Sequence, residues 1–527
     1  MKKVLGYSFV ITILLLSVKV DYRLVSDIYC CKDDHDYFAH AETIAEDFDF
    51  DYDNQFQEKP NQRYYVNGKQ APSGFVGSGL LSVPFIYVGN LLNKLFNTSN
   101  IFNFKILLYS FSSIFYLYLT FKIFMKINLL INAELKNIFF LIVLLGSGVS
   151  YYALERYSMT PVYEIFTSSL IIYTSIKLCK NPDQNKYYAL LPLLILVGVL
   201  VKWVHLYYIF LPFIVKESLY IFLGYEKVKI YFNKYFLGSS LISIGAFLML
   251  SKLIYGQILL NPETVYNTSG FVSSYFNNLT FTEFIINAVK NSFIILFTQE
   301  FGLFWFNSVL FIGLLLSLLN YFTKLSKKNL LLYLVSFISY AQVFGIVLMW
   351  QSTASAYGFR YLLNLVPLAL FQFLIFYKNT NYLVFKNYLY VFSLFGLISV
   401  IYFEGNVGTQ LATTPIENSF GRVLPFTQPE YLSGLIKSFV DINVYLKIFT
   451  TSFLGFVFFK LLIMLNFYEV FVSTAESFNL PIQNQDFIMY IEQVNLISGF
   501  QLFVFVLLIA FISLGIYRNT YEIKEHP

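Results

Sequence analysis

The sequence predicts an all-α protein that crosses a membrane about 11–13 times, and two observations support this fold class. Apolar residues make up 57% of the 527 residues, charged residues make up only 13%, and the mean hydropathy is +0.61. A soluble domain could not keep so much apolar surface away from water, so lipid has to cover much of it. The apolar residues also fall into runs that are long enough to cross a bilayer.

The spans are placed from the need for about 20 apolar residues in each. The first runs to about Val20, and Lys2 and Lys3 hold its start in the cytoplasm. Because no small-x-small cleavage site follows it, we interpret it as a membrane helix and not as a signal peptide. The other predicted spans are residues 102–124, 135–153, 160–178, 187–202, 204–222, 235–253, 302–322, 329–350, 361–377, 383–403, 443–465 and 498–517.

Lysines on alternate loops indicate which loops face the cytoplasm. Loops with groups such as Lys177, Lys180 and Lys186 are assigned to that side, and loops poor in lysine to the outer face. The pattern predicts a multi-pass protein of the cell (inner) membrane, with a cytoplasmic N-terminus and a periplasmic or extracellular active face. Residues 1–465 form the predicted transmembrane domain, and residues 466–527 an amphipathic stretch with the last span.

The first outer loop, residues 21–100, is the longest polar region, and we expect short helices in it that lie along the membrane surface. Asp33, Asp34 and Asp36 directly precede a stretch with helical periodicity that begins at Tyr37. Stabilisation of a helix N-terminus would account for one aspartate, but not for three. The loop therefore predicts cation binding or acid–base chemistry, whereas the later acids, Glu46 to Asp53, are interpreted as solvated surface.

Several classes of protein are disfavoured. Three cysteines, two of them adjacent, imply no disulfide framework or cysteine-rich metal site. The net charge of +5 belongs mostly to loops and does not indicate nucleic-acid binding. Gly77-Ser78-Gly79 lacks the spacing and the preceding strand of a nucleotide-binding loop, so it is interpreted as a bend or a close-packing site.

Two motifs resemble one family. The first is Asp33-Asp34-x-x-Tyr37-x-x-x-Ala41 after the first span, followed by a Gly/Pro-rich turn and a short apolar helix that ends in Pro84-Phe85. It resembles the polyprenyl-phosphate-sugar-dependent glycosyltransferases of the GT-C fold, in particular the protein O-mannosyltransferases and aminoarabinose transferases. The resemblance implies a GT-C fold and gives Asp33 the place of the catalytic acid, with Asp34 beside it. Asp36, Tyr37 and Lys69, which loosely matches a family lysine, would support the acceptor or the loop.

The second motif is Trp350…Gly358-Phe359-Arg360-Tyr361…Pro367, which is similar to a pattern in bacterial relatives of that fold. An arginine at the outer end of two spans suits a lipid phosphate, although interfacial snorkelling would also explain it. We expect Arg360 to bind the donor phosphate, with Tyr361 in support.

Further ionisable residues are predicted on the outer face. Lys202 and His205 are second candidates for the donor phosphate, and a plain interfacial anchor is the alternative. Glu155-Arg156 could form a local ion pair. Where family members carry a histidine, this chain has Tyr163-Glu164, to which the sequence assigns no role. Convergence of these residues on one face is a better functional signal than any one of them.

The predicted function is inverting transfer of a sugar from a polyprenyl-phosphate carrier to an acceptor hydroxyl, with Asp33 as general base. The acceptor is left open among a lipid, a polysaccharide and a protein, and no nucleic-acid partner is expected. A divalent metal ion at Asp33 and Asp34 also stays open, since no spacing demands it. The alternatives are a transporter or flippase of a lipid-linked glycan, and a polysaccharide polymerase or ligase.

Overall fold

A computed structural model describes residues 32–56, 65–66, 69–72, 74–96, 103–203, 205–259, 280–297, 302–323, 327–350, 357–380, 383–402, 436, 439–478, 491–492, 494–495 and 499–521. About 82% of this described part is helical. Its β-structure is one antiparallel pair of two-residue strands, β1 (Tyr65–Val66) and β2 (Lys69–Gln70). The predicted first span and the side chain of Asp33 lie outside the described residues.

The described helices follow one another along the chain, and most of them are apolar. In the first half they are α1 (Lys32–Glu46), α2 (Val76–Phe96), α3 (Phe104–Ile131), α4 (Asn137–Leu154, with a π-turn at Leu145–Val149), α5 (Pro161–Lys180), α6 (Asn185–Val201), α7 (Leu211–Leu223) and α8 (Lys234–Tyr255). In the second half they are α9 (Phe281–Phe297), α10 (Leu303–Phe306), α11 (Ser308–Thr323), α12 (Lys327–Trp350), α13 (Val366–Thr380), α14 (Leu383–Tyr402), α15 (Ile442–Thr451), α16 (Phe453–Met464), α17 (Tyr468–Ser477) and α18 (Gly499–Tyr521). Two 3₁₀ segments, Leu206–Ile209 and Arg360–Leu365, lead into α7 and α13.

Length and composition confirm an all-α polytopic membrane protein. Six helical segments of the described chain are long and apolar enough to cross a membrane. Besides α2, α3, α4, α8 and α14, these include the continuous helix Arg360–Thr380. The helices α16 and α17 also pass this test together, but they meet at an angle of 117°. Shorter apolar helices occupy several of the other predicted spans, among them Asn185–Val201.

The structure differs from the predicted elements at three positions. The apolar helix that was expected to end at Pro84-Phe85 continues to Phe96, with Pro84 inside it. At 21 residues it is long and apolar enough to cross a membrane, which differs from the short surface helix predicted in the outer loop of residues 21–100. The predicted span 302–322 is interrupted at Asn307, where the backbone leaves helical geometry. The predicted span 443–465 is interrupted at Ser452, whose hydroxyl caps the next helix by accepting from the Gly455 amide.

Close packing of glycines joins the first loop to the rest of the molecule. A Cβ atom on Gly79 would lie 2.5 Å from Cβ of His40 on α1, and one on Gly77 would lie 2.2 Å from the backbone nitrogen of Val201. The start of α2 therefore lies between α1 and the end of α6, at distances that no larger residue permits. The close-packing interpretation of Gly77-Ser78-Gly79 is confirmed, and it brings α1 close to the chain that leads into Lys202.

Candidate functional site

The first part of the site is an ion pair between α1 and the loop after α4. Nη2 of Arg156 donates to Oδ2 of Asp34 across 3.0 Å, although 122 residues separate the two in the chain. Their side chains are only 11% and 4% exposed. The sequence suggested a local pair of Arg156 with Glu155, and the structure pairs Arg156 with the distant Asp34. Removal of either partner would leave a charge buried, so the pair holds the start of α1 in place.

The other acids of α1 are placed only in part. The backbone of Asp33 belongs to the first turn of α1, but its side chain lies outside the described residues. Asp36 is buried and lies within electrostatic range of Tyr255. Tyr37 is buried and packs so closely against Gly74 that a Cβ atom on this glycine would lie 2.5 Å from the ring. The expected helix is confirmed, but it begins at Lys32 and so includes the aspartates that were predicted to precede it. The role of Asp33 stays a prediction.

The second part of the site is centred on Glu164, in the first turn of α5. This carboxylate is completely buried. Its Oε1 accepts from the Thr160 hydroxyl at 2.5 Å and lies 3.5 Å from Nζ of Lys202, and its Oε2 lies 2.7 Å from Nε2 of His205. The turn between α6 and α7 supplies both basic residues, because α6 ends at Val201 and Lys202 is extended. Glu164 thus holds two residues that were predicted to bind the donor phosphate.

Arg360 and Tyr361 connect the two parts. The ammonium group of Lys202 lies 3.8 Å from the centre of the Tyr361 ring, and the guanidinium group of Arg360 lies 5.0 Å from it. Nη2 of Arg360 donates to the Tyr361 hydroxyl at 3.2 Å, and Nη1 lies 3.6 Å from Sδ of Met159, in the same loop as Arg156. Both cations therefore lie over the Tyr361 ring, and cations in general are attracted to the face of an aromatic ring.

Tyr152 lies near charged residues from both parts of the site. The hydroxyl of Tyr152 donates to the carbonyl of Tyr357 at 2.9 Å. It also lies within electrostatic range of Arg156, Arg360 and Glu164. Residues from α1, α4, α5, the α6–α7 turn and the 3₁₀ segment thus lie near one another. They include Asp34, Arg156, Lys202, His205 and Arg360, which the sequence predicts on one face of the membrane.

Lys69 is not part of this convergence. It lies exposed on β2, and within the described ranges its ammonium group makes no hydrogen bond or ion pair. The match of Lys69 to the family's lysine therefore gains no structural support.

Of the Trp350–Pro367 motif, residues 351–356 lie outside the described residues.

His40 is a buried histidine that the sequence did not single out. Its Nδ1 lies 2.7 Å from the Tyr52 hydroxyl, and its Nε2 lies 2.9 Å from the Gly74 carbonyl. Burial lowers the pKa of His40 to about 4, against the opposing effect of the bond to Gly74. Burial likewise raises the pKa of Glu42, which lies further along the same helix near Lys105. The neutral ring of His40 therefore joins α1 to the loops before and after the β1–β2 hairpin.

Among the side chains that the structure describes, no three His, Cys, Asp or Glu residues are grouped so that they could hold a metal ion. Asp33, one of the two residues considered for a metal, is outside that set. Binding of a divalent metal ion at Asp33 and Asp34 therefore stays a prediction.

Glu164 is the functional residue that sequence reasoning missed. A carboxylate inside an apolar span is costly unless it is paired, so its position in residues 160–178 was itself a signal. Its partners could not be found from the sequence, because Lys202 and His205 belong to a different helix connection. No protein-family model, curated protein or solved structure matches the chain.

Proposed function

We propose that the protein is a glycosyltransferase of the GT-C type, with about 11–13 spans, that moves a sugar from a polyprenyl-phosphate carrier to a hydroxyl group on the outer membrane face. The observation that carries the proposal is the buried cluster in which Glu164, Lys202 and His205 meet Arg360 and Tyr361. Ionisable groups inside membrane proteins are costly and usually functional. The donor has an apolar tail, which lipid would cover, and a charged phosphate, which buried cations would bind.

Arg360 is the proposed contact of the donor phosphate. When the bond between sugar and phosphate breaks, charge grows on the phosphate, and a fixed cation stabilises it. Arg360 has a planar fork that suits phosphate oxygens, and Met159 and Tyr361 hold it. Lys202 is the second candidate, but it already lies beside Glu164.

The acids of α1 are proposed to serve the acceptor. Asp34 is held by Arg156, so its role is to support the helix and to orient the acceptor. The sequence motif gives the role of general base to Asp33, the residue before it. A carboxylate base would take the proton of the acceptor hydroxyl while the oxygen attacks the anomeric carbon.

The proposal is tested with purified protein in lipid nanodiscs and a panel of undecaprenyl phosphates that carry mannose, glucose or aminoarabinose. Release of the sugar to water or to an added alcohol is measured. For Arg360→Lys we expect the donor KM to rise about 10–100-fold, which corresponds to one or two charge-assisted hydrogen bonds. Arg518→Lys, at an exposed helix end, is the matched control and should leave the donor KM unchanged. A wild-type protein that turns over no donor would contradict the proposal.

Transport of a lipid-linked glycan is the second candidate, and the buried pair of Glu164 and His205 favours it. Chains of carboxylates and histidines inside membranes are typical of proton relays. The two functions differ in the fate of the donor. A transporter would deliver intact lipid-linked sugar to the other leaflet of a proteoliposome, whereas a transferase would cleave it.

A further inference from the structure

The two fully buried histidines of the described chain are held in different ways. His40 uses both ring nitrogens, toward Tyr52 and Gly74. His205 uses one: Nε2 lies 2.7 Å from Oε2 of Glu164, whereas Nδ1 is buried and has no hydrogen-bond partner among the described residues. A buried polar atom without a hydrogen-bond partner destabilises the fold, so it calls for an explanation, and a catalytic role is one.

The partners of Glu164 determine where the proton of His205 lies. The Thr160 hydroxyl and the Lys202 ammonium both face Oε1 of Glu164, which favours the ionised carboxylate. An ionised carboxylate only accepts hydrogen bonds, so Nε2 of His205 carries the proton and donates it. In the neutral ring, Nδ1 then bears the lone pair. Serine hydrolases also orient their base through a carboxylate, but there the carboxylate binds Nδ1 and Nε2 is the base.

The surroundings of the ring keep this nitrogen in place. Tyr207 and Tyr208 pack against the His205 ring with centroid distances of 6.1 Å and 5.5 Å. The Tyr208 hydroxyl donates to the backbone carbonyl of Glu164 at 3.3 Å. Among the described residues, the charged or titratable groups that face His205 are Glu164, Lys202 and these two tyrosines. Because the ring cannot turn without breaking the bond to Glu164, Nδ1 is presented in a constant direction.

We infer that His205 is the general base of the site and that Glu164 is the positioning residue that orients it. This inference rests on the proposed sugar transfer and moves only the role of base, from Asp33 to His205. The acceptor oxygen forms a bond to the anomeric carbon, and the bond from that carbon to the phosphate oxygen breaks, with its electron pair left on the phosphate. The proton of the acceptor hydroxyl goes to Nδ1, and the resulting imidazolium, stabilised by Glu164, later releases it to water.

The pH dependence of turnover separates the two bases. Burial lowers the pKa of His205, so an imidazole base at this position produces an acid limb in kcat/KM below pH 6.5, whereas a carboxylate base produces the lower limb, near pH 4. With undecaprenyl phosphomannose as probe, we expect the wild-type protein to show the higher limb. The variant His205→Gln should lose that limb and about 10²–10⁴-fold of kcat/KM. In Glu164→Gln the imidazolium loses its counter-charge, so the limb should move to lower pH.

The variant His40→Gln is the matched control, because it removes the other buried histidine. It should lower thermal stability but keep the high acid limb. Asp33→Asn should also keep that limb if Asp33 only orients the acceptor. Size-exclusion profiles and melting curves confirm that each variant is folded before its kinetics are compared.

A second measurement does not depend on turnover. The chain has four histidines, so nitrogen-15 labelling of histidine gives a tractable NMR spectrum, and the resonances absent from His205→Gln belong to His205. At pH 8 we expect a neutral ring with its proton on Nε2 and a free Nδ1. A proton on Nδ1 instead would overturn the inference. An active wild-type protein whose high limb persists in His205→Gln overturns the inference alone, whereas one that turns over no donor overturns the proposed function and the inference with it.

Discussion

The ion pair between Asp34 and Arg156 should be a main support of the first helix. At 3.0 Å the attraction between the two charges is about 5 kcal/mol for an effective dielectric constant of about 20. Their side chains are almost out of solvent, so loss of one partner removes the attraction that offsets the burial of the other charge. We therefore expect Asp34→Asn and Arg156→Gln each to lower the free energy of unfolding by about 3–5 kcal/mol.

A double-mutant cycle tests this reasoning. The variant with both substitutions removes both charges together, so it should be more stable than the sum of the single effects predicts, by about 2 kcal/mol or more. Free energies of unfolding are measured by titrating the protein in mixed micelles with a denaturing detergent. If the two single effects add to within about 0.5 kcal/mol, the residues do not interact and the argument is refuted.

Two further predictions concern the packing of the first loop. The pKa of His40 is lowered from an unfolded value of about 6.5 to about 4, so the folded state binds fewer protons between these values. Stability should therefore fall as the pH drops from about 6.5 to 4, by up to about 3 kcal/mol, and His40→Gln should remove this part of the pH dependence of unfolding. Gly77→Ala places a methyl group 2.2 Å from the Val201 nitrogen and should lower the melting temperature, with a cost of about 1–3 kcal/mol. Gly245→Ala, in the exposed middle of α8, meets nothing within 4 Å and should leave the melting temperature equal or slightly higher; an equal loss in both variants would contradict the packing argument.

The structure changes the meaning of two predictions about charged residues. The sequence suggests that Lys202 is a cation at the membrane interface, yet it is buried beside Glu164 and over Tyr361. The sequence also suggests His205 as a second cation for the phosphate, yet its bond to Glu164 leaves a nitrogen with a lone pair. In both residues the type of side chain points to the site, but its partner is a carboxylate from another helix.

The helical membrane fold could be predicted from the sequence, because a run of about 20 apolar residues is a local property and is enough to place a helix in lipid. Breaks within spans did not follow, since Pro84 continues a helix while Asn307 and Ser452 interrupt one. Backbone breaks depend on what packs beside them, which hydropathy does not record.

The sequence by itself also indicated the residue types of the site: acids after the first span, Lys202 and His205 between two spans, and Arg360 before another. Only the tertiary structure decided which of them meet. Asp34 pairs with Arg156 across 122 residues, and Glu164 gathers Lys202 and His205. The physical reason is that the partner of a buried charge is set by distance in space, and the packing of the helices, including the close contacts at Gly77 and Gly79, determines that distance.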